Sequence, residues 1–146
     1  MTATRRSFVA TSSSAAAPDA VFALLAAGDR WAEWAGPVVP RSRWAVPGDP
    51  VGTVGAVRRL GIGPLSSLER IVEHEPGRRL GYVVDSAAPM RGYRAVVDLA
   101  PRTDGGTDIT WSASFEPVVP GTGPVLHLVL RGIVRGFAKR VARAAA

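Results

Sequence analysis

Two spacings of apolar residues divide this chain. Between Arg43 and Glu116 they recur at every second position in short runs set off by turn residues, the pattern of an antiparallel sheet. The clearest runs are Tyr93–Ala100 and Thr107–Phe115, joined through Asp104-Gly105-Gly106, which reads as a hairpin turn. Tyr93, Ala95, Val97 and Leu99 share one face of the first; Thr107, Ile109, Trp111, Ala113 and Phe115 share one face of the second. The opposite faces carry Arg94, Asp98, Asp108, Thr110, Ser112, Ser114 and Glu116, so one side of the sheet is covered and the other is wet. Earlier runs predict strands over Val51–Leu60, Leu65–His74 and Arg79–Val84, with turns at Gly61-Ile62-Gly63-Pro64 and Glu75-Pro76-Gly77.

Helical spacing appears at both ends. Pro18 suits a first helical position, Val21, Phe22 and Leu25 follow on one face, and Gly28 is a natural stop. Asp29 is placed to cap a second short helix bearing Trp31 and Trp34, which Pro37 and Pro40 end. After Pro120-Gly121-Thr122-Gly123, a long helix is predicted from Pro124 to Ala144 with the apolar stripe Leu126, Leu130, Ile133, Phe137 and Val141. His127, Arg131, Arg135, Lys139 and Arg143 step by four on a neighbouring face, expected to be solvated. At the start, Arg6–Ser12 reads as a first strand. Thr4-Arg5-Arg6-Ser7-Phe8-Val9 resembles a twin-arginine export signal, but Thr11-Ser12-Ser13-Ser14 interrupts the apolar run such a signal needs, and a cytoplasmic location is expected.

The layout is strand, two small helices, about six strands and one long helix, in a single domain over residues 1–146. A helix is about 10–12 Å across, whereas six strands span roughly 25 Å. One terminal helix cannot seal that floor, so a cavity with an apolar, aromatic lining is expected beneath it.

Composition narrows the chemistry. The absence of Cys removes disulfides and thiolate chemistry, and with only His74 and His127 as imidazoles no metal site is expected. The net charge of +6 raises the question of nucleic acid, but all 18 basic residues except Lys139 are Arg, and there is no Asn or Gln to read adenine. No aromatic nucleic-acid motif is present either, so nucleic acid is not an expected partner. Gly61-Ile62-Gly63 and Gly121-Thr122-Gly123 begin like a dinucleotide fingerprint, but Ser66 and Leu126 stand in the third glycine's place; no cofactor is expected.

Taken in order, Ala17-Pro18-Asp19-Ala20-Val21-Phe22, Asp29-Arg30-Trp31-Ala32-Glu33-Trp34, Gly52-Thr53-Val54-Gly55-Ala56-Val57-Arg58, the run from Leu68 to Leu80, and Gly105-Gly106-Thr107-Asp108-Ile109-Thr110-Trp111 resemble the START/Bet v 1-like superfamily, in particular its polyketide cyclase/dehydrase-like branch. The resemblance implies an α+β helix-grip fold: a curved antiparallel sheet of about seven strands gripping the C-terminal helix, with a ligand tunnel between. Its members bind lipids, sterols, polyketides and plant hormones, and a minority catalyse cyclisation or aromatisation.

Arg58 falls in register with Val54, Ala56 and Leu60, an arginine on an apolar face. Glu69 lies across the hairpin in register with Ile71. The pair either anchors a ligand carbonyl or carboxylate inside the cavity or is a buried salt bridge that ties two strands. Tyr82, Tyr93, Trp111 and Phe115 are expected to point inward, Trp34 to sit at the cavity mouth and Leu130 to face the cavity from the long helix; stacking on a ligand and plain core packing both fit these side chains. His74 and His127 lack the partners of a catalytic triad. A small protein that binds one hydrophobic molecule is the leading reading. In the alternative, a polyketide cyclase/aromatase-like enzyme, Arg58 polarises a carbonyl and Tyr82 or Tyr93 moves a proton. A ligand-free structural protein with a collapsed core is the third. The basic helix could touch anionic membranes transiently, but its apolar stripe is needed to cover the sheet, so stable insertion is not expected.

Overall fold

The computed structural model describes residues 4–63, 66–85 and 90–146. Seven strands form one antiparallel sheet: β1 (Arg6–Ser14), β2 (Ser42–Val46), β3 (Val57–Leu60), β4 (Ser67–Glu75), β5 (Arg79–Val84), β6 (Met90–Pro101) and β7 (Thr107–Pro117). Their order is β1-β7-β6-β5-β4-β3-β2, so only the β1–β7 pairing joins strands distant in sequence. Helix α1 (Pro18–Ala26) and a single 3-10 turn (Trp31–Glu33) lie between β1 and β2. Helix α2 (Gly123–Ala145) runs along β1 and β7 and touches α1. This is the α+β helix-grip architecture.

The alternation in β6 and β7 produces the expected two faces. Tyr93, Ala95, Val97, Leu99, Ile109, Trp111, Ala113 and Phe115 are all buried. The outer face is held by exposed or half-exposed ion pairs such as Arg79–Asp98 and Arg102–Asp108.

Several boundaries differ from expectation, each for a local reason. The run Val51–Leu60 is a strand only over Val57–Leu60. Gly52 and Gly55 both adopt positive φ (84° and 97°), and Gly52 donates its N–H to the Pro47 carbonyl at 2.8 Å, so the preceding segment is a chain of turns. The 3-10 turn is preceded by Arg30, not capped by the Asp29 side chain. Helix α1 stops at Ala26, ahead of Gly28, whose role is close approach: a Cβ there would meet the Trp44 ring at 2.7 Å. The start of the strand expected at Leu65, and Pro64 of the preceding turn, lie outside the described residues. Neither histidine is simply solvated. His74 sets its ring edge-on to Phe22 and His127 to Phe8, at 5.2 and 5.7 Å between centroids.

The stripe of α2 is also uneven. Val134, Phe137, Ala138, Val141 and Ala142 are buried, whereas Leu126, Leu130 and Ile133 are only partly covered. Ser14 fastens the closed end, donating its hydroxyl to the Ala142 carbonyl at 2.7 Å.

Candidate functional site: a cavity beside a buried arginine

The interior is filled at its centre by rings. Trp31 packs on Trp34, Trp111 and Phe137 with centroids 4.6, 5.9 and 5.3 Å apart, and Trp111 meets Phe137 at 5.8 Å. Trp31 and Trp111 are wholly inaccessible. These edge-on and tilted contacts make a wall that α2 closes on one side.

Against that wall stands Arg58, with no exposed surface. Strand β3 puts it directly opposite Glu69 of β4, and the two side chains meet: Nε donates to Glu69 Oε1 at 3.1 Å and Nη2 lies 3.0 Å from the same oxygen. Its Nη1 donates to the Leu25 carbonyl at 3.0 Å, which the Trp31 indole N–H also reaches at 3.0 Å. That carbonyl belongs to the last turn of α1, where backbone acceptors lack intrahelical partners and the helix dipole favours a cation. Helix α1 supplies no basic residue of its own there, so β3 provides the charge. The guanidinium is stacked between Trp31 and Tyr82, 4.1 and 4.7 Å from the ring centroids. Rings lie against the guanidinium and two of its three nitrogens, Nε and Nη1, donate hydrogen bonds, whereas Nη2 is buried without a hydrogen-bond partner.

Beyond this wall an interior cavity of about 240 Å³ lies between the sheet and the first half of α2. Its deep surface comprises Glu69, Tyr82, Tyr93, Leu60, Val39, Val134 and Phe137, all nearly inaccessible to bulk water. Val38, Ser67, Val84, Met90, Leu130 and Ile133 rim it and are more exposed. A larger depression of about 470 Å³ lies beside β5 and β6, but it is open, and the charged residues that make up half of its lining are in ion pairs. The more sheltered, mostly aliphatic hollow is the better ligand site.

Of the residues singled out in the sequence, Glu69, Tyr82, Tyr93 and Leu130 line this cavity. Arg58, Trp34, Trp111 and Phe115 do not; they are buried behind it. Trp34, expected at the mouth, is packed on Trp31 and Phe137 instead. The lining residues that sequence reasoning missed as site residues are Val38 and Val39 of a loop, Leu60, Ser67, Val84 and Met90 of the sheet, and Ile133, Val134 and Phe137 of α2.

The polar groups of the lining are Ser67, Glu69, Tyr82 and Tyr93. Ser67 donates to Glu69 Oε2 at 3.3 Å, leaving that oxygen further capacity as an acceptor. The Trp111 indole N–H donates to the Tyr82 hydroxyl at 3.3 Å, and the Tyr82 and Tyr93 rings lie 6.5 Å apart between centroids. Burial pushes both phenols well above the ordinary tyrosine range, and the Glu69 charge adds to the effect on each. They stay neutral hydrogen-bonding groups at physiological pH. Among the described residues no Lys, Arg or His lines the cavity, and the charged lining group is the Glu69 carboxylate, whose compensating Arg58 is buried behind it. Among the described residues no three His, Cys, Asp or Glu side chains gather as metal ligands.

The comparisons agree on the fold. A Bacillus cereus protein, XoxI, superposes with a TM-score of 0.76 at 20% identity, with 94% of each chain covered. Ara h 8.0201 gives 0.76 at 16% identity over 97% of this chain and 98% of that one. Norcoclaurine synthase from Thalictrum flavum, in complex with dopamine and hydroxybenzaldehyde, gives 0.75 at 13% identity over 98% of this chain and 87% of that one. No curated protein matches the chain. Residues 5–146 match the family described as polyketide cyclase / dehydrase and lipid transport, and the chain belongs to that family.

Proposed function

We propose that this protein binds one small hydrophobic molecule in the cavity under α2, and that the molecule carries a hydrogen-bond donor, such as a hydroxyl or an amine, at its inner end. The observation that carries this reading is the polarity of the hollow. Glu69 lines it, and its Oε2, which accepts from Ser67, keeps further acceptor capacity, while Arg58, the cation that would attract an anionic head, has no exposed surface. A ligand carboxylate entering here would meet a carboxylate in a low-dielectric site, which is strongly unfavourable. A phenol or alcohol would instead donate to Glu69, or to a tyrosine hydroxyl, and lay its apolar part along Leu60, Val84, Ile133 and Val134.

Size points the same way. A hollow of about 240 Å³ holds about eight waters' worth of volume, which favours a mono- or bicyclic compound over a long acyl chain. Family membership supports a hydrophobic ligand in general. The cyclase alternative finds less support. The carbonyl-polarising role would fall to an arginine already engaged by Glu69 and the Leu25 carbonyl, and both phenols hold their protons tightly, which suits them to donating hydrogen bonds and not to transferring or removing a proton.

The direct test compares two probes of one shape, 2-naphthol and 2-naphthoate, by quenching of the intrinsic tryptophan fluorescence. Naphthol is expected to bind with saturable affinity, and naphthoate at least about tenfold more weakly. Leu130→Trp, which fills the rim, should abolish naphthol binding. Equal binding of both probes, or binding indifferent to Leu130→Trp, would remove this site from consideration.

A further inference from the structure

The first two turns of α2 are apolar on nearly every side, not only on the side that meets the sheet. Leu126, Leu130 and Ile133 face inward, but Val125, Leu128 and Val129 face outward, the first two 64% and 66% exposed. Val118 and Val119, just before the helix, are exposed as well. A helix end that is hydrophobic all round normally has a cover. Behind this tip the charge is of one sign. Helix α2 carries Arg131, Arg135, Lys139, Arg140 and Arg143 and no acidic residue. On and beside the sheet, Arg5, Arg70, Arg79, Arg91, Arg94 and Arg102 are ion-paired, while Arg43 and Arg59 at its other edge have no such partner among the described residues. Among the described residues none of the cations of α2 has such a partner. Arg6, also without one, lies against Gly123 at the helix start.

We propose that this tip seats the protein on an anionic lipid bilayer, with Val118, Val119, Val125, Leu128 and Val129 among the acyl chains and Arg6, Arg131 and Arg135 at the headgroups. An aliphatic tip with a basic collar is the composition that binds such an interface. A second copy of this chain docking through the same face would bring two unpaired arginine sets together. A protein partner is disfavoured by the lack of any Trp or Tyr in the tip, since such residues dominate protein–protein hot spots and Leu and Val are under-represented there. Docking is peripheral, as no helix among the described residues is long and apolar enough to cross a membrane. The proposal stands on the outer face of α2 and does not depend on what the cavity holds.

The test is co-sedimentation of the full chain with vesicles of phosphatidylcholine alone and of phosphatidylcholine mixed with phosphatidylglycerol, at low and physiological salt. The wild type is expected to pellet with the mixed vesicles and far less with the neutral ones. The pair Val125→Ser, Leu128→Ser should weaken binding about tenfold or more while leaving the thermal midpoint unchanged. The pair Arg131→Ala, Arg135→Ala should weaken it about tenfold to thirtyfold and flatten its salt dependence. Absence of vesicle binding would overturn the proposal. So would binding that the serine pair leaves intact, which is adsorption by charge alone. A concentration-dependent dimer that the serine pair dissolves, with no vesicle binding, would assign the tip to a second copy instead.

Discussion

The two halves of α2 meet the same sheet and do opposite things with it. Toward the C-terminus, Ala138, Val141 and Ala142 are small or branched residues that let the helix settle against β1, and Ser14 bonds to the helix backbone there. Toward the N-terminus, Leu130 and Ile133 stand over a hollow and stay partly exposed. Between them Phe137 closes on Trp31 and Trp111, so the ring cluster works as a partition. Side-chain volume sets the contrast. Where indoles fill the space between sheet and helix no room remains, and where Val39, Val84 and Val134 line it, a methyl-sided gap persists. One continuous amphipathic helix thereby serves as core on one side of the partition and as a roof on the other.

Breaking the partition should have the largest effects. Arg58→Ala strips Glu69 of its counter-charge, takes a donor from the Leu25 carbonyl and opens a gap between Trp31 and Tyr82. A loss of about 3–5 kcal/mol is expected, read as a lowered urea midpoint. Combining Arg58→Met with Glu69→Leu should recover much of that loss, since an apolar pair of similar volume removes the uncompensated charge. Phe137→Ala, at the hinge between the halves, should cost about 3–5 kcal/mol by the same measurement and enlarge the hollow toward the indoles. A smaller cost would mean that the helix collapses inward and that the partition is soft.

Alkaline pH probes the open half from within. Tyr82 and Tyr93 are the chain's two tyrosines, so every phenolate signal comes from the cavity lining. Both phenols titrate higher in the folded state than in the unfolded one. The stability they contribute is complete below about pH 10 and falls as pH rises from there toward the folded values, by about 1.4 kcal/mol per pH unit for each. Phenolate absorbance is therefore expected to appear in one cooperative step with loss of near-ultraviolet circular dichroism. A gradual rise before unfolding would mean that water already reaches the hydroxyls. The smallest effect on stability belongs to Leu130→Ala, about 1 kcal/mol or less because the side chain is half covered, but it should change naphthol affinity several-fold.

These regions were unequally legible in the sequence. Strands β6 and β7 could be read residue by residue because period-2 alternation with one wet face fixes which side each residue takes. The Arg58–Glu69 pairing was also readable, since a lone charge in register with apolar neighbours stands out and the hairpin places its partner opposite. What the sequence left open was on which side of the rings that pair would sit. Burial of the guanidinium comes from Trp31, and the position of Trp31 is set by its bond to the Leu25 carbonyl across a loop, which no periodicity encodes. Val38 and Val39 were unreadable for the same reason, being in a loop whose path depends on the 3-10 turn before it. The uneven burial of α2 escaped because Leu126, Leu130, Ile133, Phe137 and Val141 form one regular stripe; only the ring partners opposite it decide where the stripe is sealed.

The measurement that bears most directly on the two-halves account is a titration of the protein with 2-naphthol followed through the methyl resonances of Val, Leu and Ile. Saturable shifts are expected at Leu60, Val84, Leu130, Ile133 and Val134, with Val21, Leu25, Val97 and Val141 unmoved beyond the ring wall. Shifts confined to the exposed Val125, Leu128 and Val129, or spread evenly through both sets, would contradict a single hollow under the first half of α2.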